Sequence, residues 1–276
     1  MVGHSLNGLI YMHEDELQKI QELITGLSGD SDHFAEKLRS ERIGHLSFSQ
    51  VTTVEFCEYR YFLQYVERRE PSPTPDYFTK GKLFHEAVSL FYKEIKKGNF
   101  PEGYPALAGH YQGENQRHLE NAYRVHLENH WHHCEVVAVE HPFVMEVGAD
   151  LLPLVGVIDL IAKMDDTYII VDHKTGRNFY PPDELQMAIY VEYIRRRYGS
   201  VKCEFYYDHY RWVNNLARIR KPAFQRDNVA IGSDSWEGAL TRIKKGQKQI
   251  ERIRSTERAS RNGECFMCPY KNDCYR

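Results

Sequence analysis

The sequence predicts an α/β fold with a mixed central sheet, helices gathered ahead of it and a cysteine-rich tail behind it. Three observations carry this. Residues 135–174 hold three β-rich runs with short breaks between them. Residues 1–131 are dominated by helical apolar spacing. A helical stretch near 183–198 then leads to another strand at 201–213, which makes the core order αβββαβ. At 276 residues the chain can bury a full core as one domain, with room for an appended element.

In chain order, Glu14 to Leu27 is amphipathic with helical spacing, Gly-Asp-Ser-Asp at 29–32 marks a break, and Phe34 to Ile43 predicts a second helix. Residues 1–45 are expected to form an N-terminal helical appendage to a main domain of residues 46–276. A helix bearing Cys57 follows, and then Pro71-Ser-Pro-Thr-Pro75, a stiff connector. Leu83 to Ile95 is apolar-periodic. Asn99 to Gln116 predicts a loop, and a helix is expected from about Asn121 to His130. Strands are expected at 135–147, 153–163 and 167–174. Pro182-Asp183 starts the helix at 183–198, a further strand reaches 226, and a basic helix at 235–258 leads into the cysteines.

The middle hairpin holds an anomaly. If Asp165-Asp166 form its turn, Met164 faces Thr167 and Asp159 lies opposite Asp172. Opposed residues have Cβ atoms about 4.5–5.5 Å apart, where two like charges destabilise a sheet unless something neutralises them. The two-residue period puts Lys174 on the face of Asp172, while Ile158, Leu160, Ile169 and Val171 take the other. A one-residue slip would turn one carboxylate away. A lone buried aspartate is ordinarily hydrogen-bonded in a core. Two carboxylates and a lysine converging at one sheet position point to a metal site instead. Asp159 and Asp172 are expected to bind Mg²⁺ or Mn²⁺ through hard oxygen ligands, with Lys174 orienting or helping to deprotonate an attacking water.

Gly156-x-x-Asp159, Asp172-x-Lys174 followed by Thr175-Gly176, and Gln186-x-x-x-Tyr190 resemble the PD-(D/E)xK nuclease superfamily, in its RecB-type branch. The resemblance spans residues 47–276 and implies a restriction-endonuclease-like core. It implies a further metal ligand on an earlier helix, matched by His85 in Gly81-Lys-Leu-Phe-His85-Glu. Gln186 and Tyr190, four apart on one helix face, would contact the DNA backbone near the metals by the same resemblance. As part of that helix's packing face they would need no such role. Glu140, on the preceding strand, is a lesser candidate for the same cavity.

Six cysteines make the second signal. No apolar stretch is long enough for a signal peptide or a membrane span, so a cytoplasmic location and reduced thiols are expected. Cys265-x2-Cys268-x5-Cys274 supplies three thiolates, and Cys57 is the natural fourth. One cysteine before the core and three after it resembles the iron–sulfur RecB-type nucleases, especially the CRISPR-associated 4Fe–4S exonucleases. Zinc can also be held by four cysteines, but structural zinc sites usually pair two close hooks. A distant single plus a C-terminal trio fits a structural 4Fe–4S cluster better. Cys134 and Cys203 have no matching partners and are expected to pack as small apolar residues.

The net charge of −3 gives no global sign of nucleic-acid binding, so any electrostatic footprint must be local. The most basic stretch, Arg242 to Arg261, sets eight cations against Glu251 and Glu257, and Arg195-Arg196-Arg197 ends the Gln186 helix. Such runs are solvated faces as often as binding surfaces. The expectation is a Mg²⁺/Mn²⁺-dependent deoxyribonuclease, an exonuclease rather than an endonuclease, acting on single-stranded DNA or DNA ends. The alternatives are a DNA-end-binding or trimming subunit among CRISPR-adaptation or recombination proteins, and a zinc-stapled enzyme on another phosphate substrate.

Overall fold

A computed structural model describes residues 6–27, 33–71, 76–101, 103, 113–232, 235–263, 265 and 268–274. The break expected at 29–32, most of the connector at 71–75 and the centre of the loop at 99–116 lie outside the described residues. The chain divides into two compact units: residues 1–74, 142–157 and 234–276 form the first, residues 75–141 and 158–233 the second.

In the first unit, α1 (Leu6–Gly26) begins eight residues before its expected start, and α2 (Phe34–Ser40) ends three residues early. Both pack through Ile20, Leu23, Phe34 and Leu38 with Ile43 and Val155. A two-residue strand that periodicity could not reveal, β1 (Leu46–Ser47), leads directly into α3 (Phe48–Phe56), whose N-cap Ser47 accepts from the Gln50 N–H. Cys57 is not borne on a helix. It is an extended joint (φ −162°, ψ 114°) between α3 and α4 (Glu58–Tyr61). The reason lies in the backbone bonds: its N–H closes α3 on the Thr53 carbonyl, while its own carbonyl accepts the Tyr61 N–H of the next helix. A π-helical turn, Phe62–Val66, follows. From the far end of the sequence, α8 (Ser235–Thr256) packs on α3, where Gly246 allows close approach: a Cβ there would meet Val51 at 3.1 Å. A four-residue helix, α9 (Lys271–Cys274), ends the described chain.

The second unit holds α5 (Asp76–Lys96), α6 (Glu114–Asn129) and most of the sheet. The strands are β2 (Glu135–Met145) and β3 (Leu154–Met164), whose residues within 142–157 count with the first unit, then β4 (Thr167–Gly176), β5 (Lys202–Arg211) and β6 (Phe224–Val229), with α7 (Glu184–Tyr198) between β4 and β5. β3 is antiparallel to β4, β4 parallel to β5 and β5 antiparallel to β6; β2 also pairs with β3, and β1 lies parallel to the start of β3. The sheet is therefore mixed, as expected.

The hairpin register runs as predicted from Met164↔Thr167 to Leu160↔Val171, around a turn in which Asp165 takes a left-handed backbone (φ 52°). Leu160, Ile169 and Val171 join Phe84, Val88, Phe91 and Tyr123 in one core, and Ile161 and Ile170 on the other face are buried as well. Both faces are covered, as for central strands. Cys203 is buried and Cys134 half-buried. No helix among the described residues is long and apolar enough to cross a membrane.

Candidate active site and cysteine cavity

Asp159 lies one step beyond the Leu160↔Val171 pair of the β3–β4 ladder, where its Oδ2 accepts the backbone N–H of His173 at 2.8 Å. That same oxygen is 3.3 Å from His85 Nδ1, on α5. Glu140 completes the group: one ligand atom each from His85, Glu140 and Asp159 lies within 4.8 Å of the others. Glu140 reaches it through a left-handed backbone (φ 47°) inside β2, a conformation that breaks a strand's alternation and re-aims a side chain.

Asp172 faces a different set of partners. Its Oδ2 is 2.6 Å from Lys174 Nζ, and its Oδ1 accepts from Gln186 Nε2 at 2.6 Å. Gln186 Oε1 in turn accepts from Lys174 Nζ at 3.1 Å and from the Tyr207 hydroxyl at 2.8 Å, while Nε2 also donates to the Tyr190 hydroxyl at 3.1 Å. Lys174 Nζ sits 5.1 Å from the Tyr207 ring centre. Gln186 and Tyr190 are buried, so the helix face expected to meet a DNA backbone is turned into this network. Tyr207 is a site residue that the sequence did not single out. Its place follows from the parallel register of β5, which sets it beside Asp172, and the only sequence signal was the alternation Phe205, Tyr207, His209.

The two carboxylates are tuned apart. Burial raises both, but at Asp159 the His85 charge and the His85 and His173 hydrogen bonds prevail and hold it below the ordinary range. At Asp172, burial and the neighbouring Asp159 charge outweigh Lys174, and its pKa rises. Loss of solvent alone would lower His85; Asp159, then Glu140 and Asp172, raise it to about 9.

One imidazole and two carboxylates fit a hard or borderline divalent cation. Such a cation would supply Lewis-acid chemistry at this position. The chain's own residues do the rest. Gln186 holds Asp172 and Lys174 in fixed orientation, and Lys174 keeps its ammonium, partly exposed, at the edge of the carboxylates.

The first unit contains the cysteine cavity. Cys57, Cys265, Cys268 and Cys274 line one small cavity together with Arg60, Arg261 and Tyr270. Hydrogen bonds join residues 58–69 to residues 260–270 around it. Tyr59 N donates to Ser260 O, Ser260 N to Glu58 Oε2, Glu58 N to Asn262 Oδ1, and the Tyr270 hydroxyl to Arg69 O. Gly263 passes so close to the Cys57 joint that a Cβ would meet Cys57 Cβ and the Phe56 carbonyl at 2.7 Å. Burial pushes the Cys274 thiol up.

A mixed-sheet α/β unit with a carboxylate pair and a lysine at one sheet position is the pattern of a metal-dependent phosphodiesterase core. The model of the PD-(D/E)XK nuclease superfamily matches residues 45–275, and the chain belongs to that superfamily, whose members use divalent metals. Among solved structures, a candidate exonuclease from Eubacterium rectale superposes with a TM-score of 0.56 at 15% identity, over 85% of this chain and 90% of that one. The crystal structure of SSO0001 gives a TM-score of 0.43 at 15% identity, over 87% of this chain and 93% of that one. No protein of curated function matches the sequence.

Proposed function

We propose that the protein is a Mg²⁺- or Mn²⁺-dependent deoxyribonuclease that works as an exonuclease on single-stranded DNA or DNA ends and carries a structural 4Fe–4S cluster. The observation that carries the nuclease reading is the pairing of a His85–Glu140–Asp159 group with Lys174 held 2.6 Å from Asp172. In this reading His85, Glu140, Asp159 and Asp172 would hold the cation, which would supply Lewis-acid chemistry to the phosphate. Lys174 then orients the attacking water and stabilises negative charge developing on the phosphate. Gln186, buried with both polar atoms engaged, acts as a positioning residue, and Tyr190 supports it. A DNA-contact role for these two would require them to turn outward.

The four cysteines of the cavity have the soft-ligand chemistry of an iron–sulfur site, and their split along the sequence favours a cluster over zinc. Such a cluster would staple the segment at 258–274 to the Cys57 joint. Residues 46–276 would carry the nuclease domain, with 1–45 as a helical appendage. A role as an end-trimming partner of CRISPR-adaptation or recombination proteins is compatible with the same chemistry. Incubation of end-labelled single- and double-stranded DNA in Mn²⁺ or EDTA tests the proposal. Metal-dependent shortening from an end of the single strand supports it; internal cuts refute the exonuclease reading, and no cleavage refutes the nuclease.

A further inference from the structure

The first unit contains a cleft of about 580 Å³ that none of the chemistry above uses. It is lined by Arg39, Arg42, Arg68, Arg254 and His45, and no aspartate or glutamate among the described residues lines it. In a chain whose net charge is −3, four guanidinium groups around one acid-free cleft form the local footprint that the composition conceals. The N-terminus of α3 opens onto the same cleft through Ser47, Ser49 and Gln50, adding the partial positive charge of a helix start.

One observation marks the cleft as a built site. Gln50 is 3% exposed, yet its Oε1 has no hydrogen-bond partner among the described residues, although its Nε2 is 3.1 Å from His45 Nε2. A buried acceptor left in that state is costly unless something else binds it. Arg42 and Arg68 take left-handed backbones (φ 55° and 56°) because each closes a helical segment: Ile43 N donates to Leu38 O beyond α2, and Arg69 N to Leu63 O beyond the π-helical turn, which sets both arginines at helix ends on the rim of the cleft.

We propose that this cleft binds the phosphodiester backbone of a single nucleic-acid strand, an inference that rests on the nuclease reading of the second unit. The four arginines come from α2, the turn after it, the segment after the π-helical turn, and α8. Cations distributed in this way suit phosphates in a row better than one compact polyphosphate. The half-buried Tyr65, Val66 and Val157 lie among them, offering apolar surface to sugars and bases.

The test is fluorescence anisotropy of a labelled oligothymidine with the full chain in EDTA, over a series of salt concentrations. Removing one cation that neutralises a phosphate of a single strand should flatten the log–log salt slope by about 0.7. The double variant Arg42→Gln/Arg68→Gln should therefore bind roughly tenfold more weakly, with a slope shallower by about 1.4. The charge-matched control Lys244→Gln/Lys245→Gln, on the exposed side of α8, should change affinity less than about twofold if the cleft is the site. Parental affinity and slope in the cleft variant overturn the proposal, as does an equal loss in the control. Displacement of the strand by ATP at comparable affinity overturns it in favour of a nucleotide site. A parent that cleaves DNA in Mn²⁺ while it does not bind the strand in EDTA, or while its cleft variants bind unchanged, refutes the cleft alone; a parent that neither binds nor cleaves refutes the cleft and the nuclease together.

Discussion

The carboxylate–lysine site and the cysteine cavity are both clusters of polar side chains, but they are held in opposite ways. Asp159, Asp172, Lys174 and Tyr207 stand on strands, Gln186 and His85 on helices, and each is fixed by a neighbour on the same scaffold. The cysteines stand mostly on irregular chain. Cys57 is an extended joint, Cys265 and Cys268 lie outside regular structure, and only Cys274 sits in a helix, one of four residues. The first site is organised by its own hydrogen bonds, whereas the second would depend on the cluster proposed for its thiols. Activity and stability should therefore separate cleanly between them.

The largest effect should come from Lys174→Ala or Asp159→Ala. Each should lower DNA cleavage in Mn²⁺ by about a thousandfold or more, with circular dichroism and visible absorbance unchanged; a variant that retains cleavage would break the contrast. Cys268→Ala should do the reverse, losing visible absorbance and several degrees of melting temperature. A colourless parent with unchanged melting would remove the cluster from the account. Gln186→Leu tests whether preorganisation matters within the first site. Cleavage should fall roughly 10- to 100-fold, as for partners that orient ligands, and Gln186→Glu should not restore it, because a carboxylate cannot donate to Asp172.

A smaller effect is pH-dependent. His126 is buried, with Nδ1 3.0 Å from the Tyr210 hydroxyl, and burial first, then the neighbouring His173 and His130, hold its pKa well below 6.5. The folded state thus binds fewer protons than the unfolded one. Its contribution to stability is present above pH 6.5 and is lost as pH falls below it, by up to about 1.4 kcal/mol per pH unit. Thermal unfolding from pH 7 to 5 should show this slope, and His126→Phe should flatten it. Smallest of all, Arg242→Ala removes a partly exposed ion pair with Glu55 at 2.8 Å and should cost about 0.5 kcal/mol in denaturant unfolding.

What the sequence made legible was local. The Asp159–Asp172–Lys174 arrangement follows from a tight turn and a period of two, and the structure keeps that register to within one residue of Asp159. The cysteine grouping was legible because thiols are rare and spacing alone relates them. Glu140 ranked low because its approach depends on a left-handed residue inside a strand, which side-chain periodicity does not encode. Tyr207 was missed because its neighbourhood depends on a parallel pairing across α7. That Gln186 and Tyr190 share one helix face follows from their spacing of four, but only the packing says whether that face looks in or out. The arginine cleft escaped because its four cations come from separate segments, each ordinary alone.

The first unit is discontinuous in sequence, assembled from residues 1–74, 142–157 and 234–276, while the second is finished by residue 233. On the ribosome, the second unit can therefore collapse while the helix α8 and the last three cysteines are still unmade. The Cys57 joint must wait, with its thiol uncovered, until the segment passing Gly263 arrives some two hundred residues later. Long-range closure of this kind is slow and leaves apolar surface open to aggregation. Pulse-labelling of thiols during synthesis should find Cys57 among the last to become protected, well after Cys203 on β5.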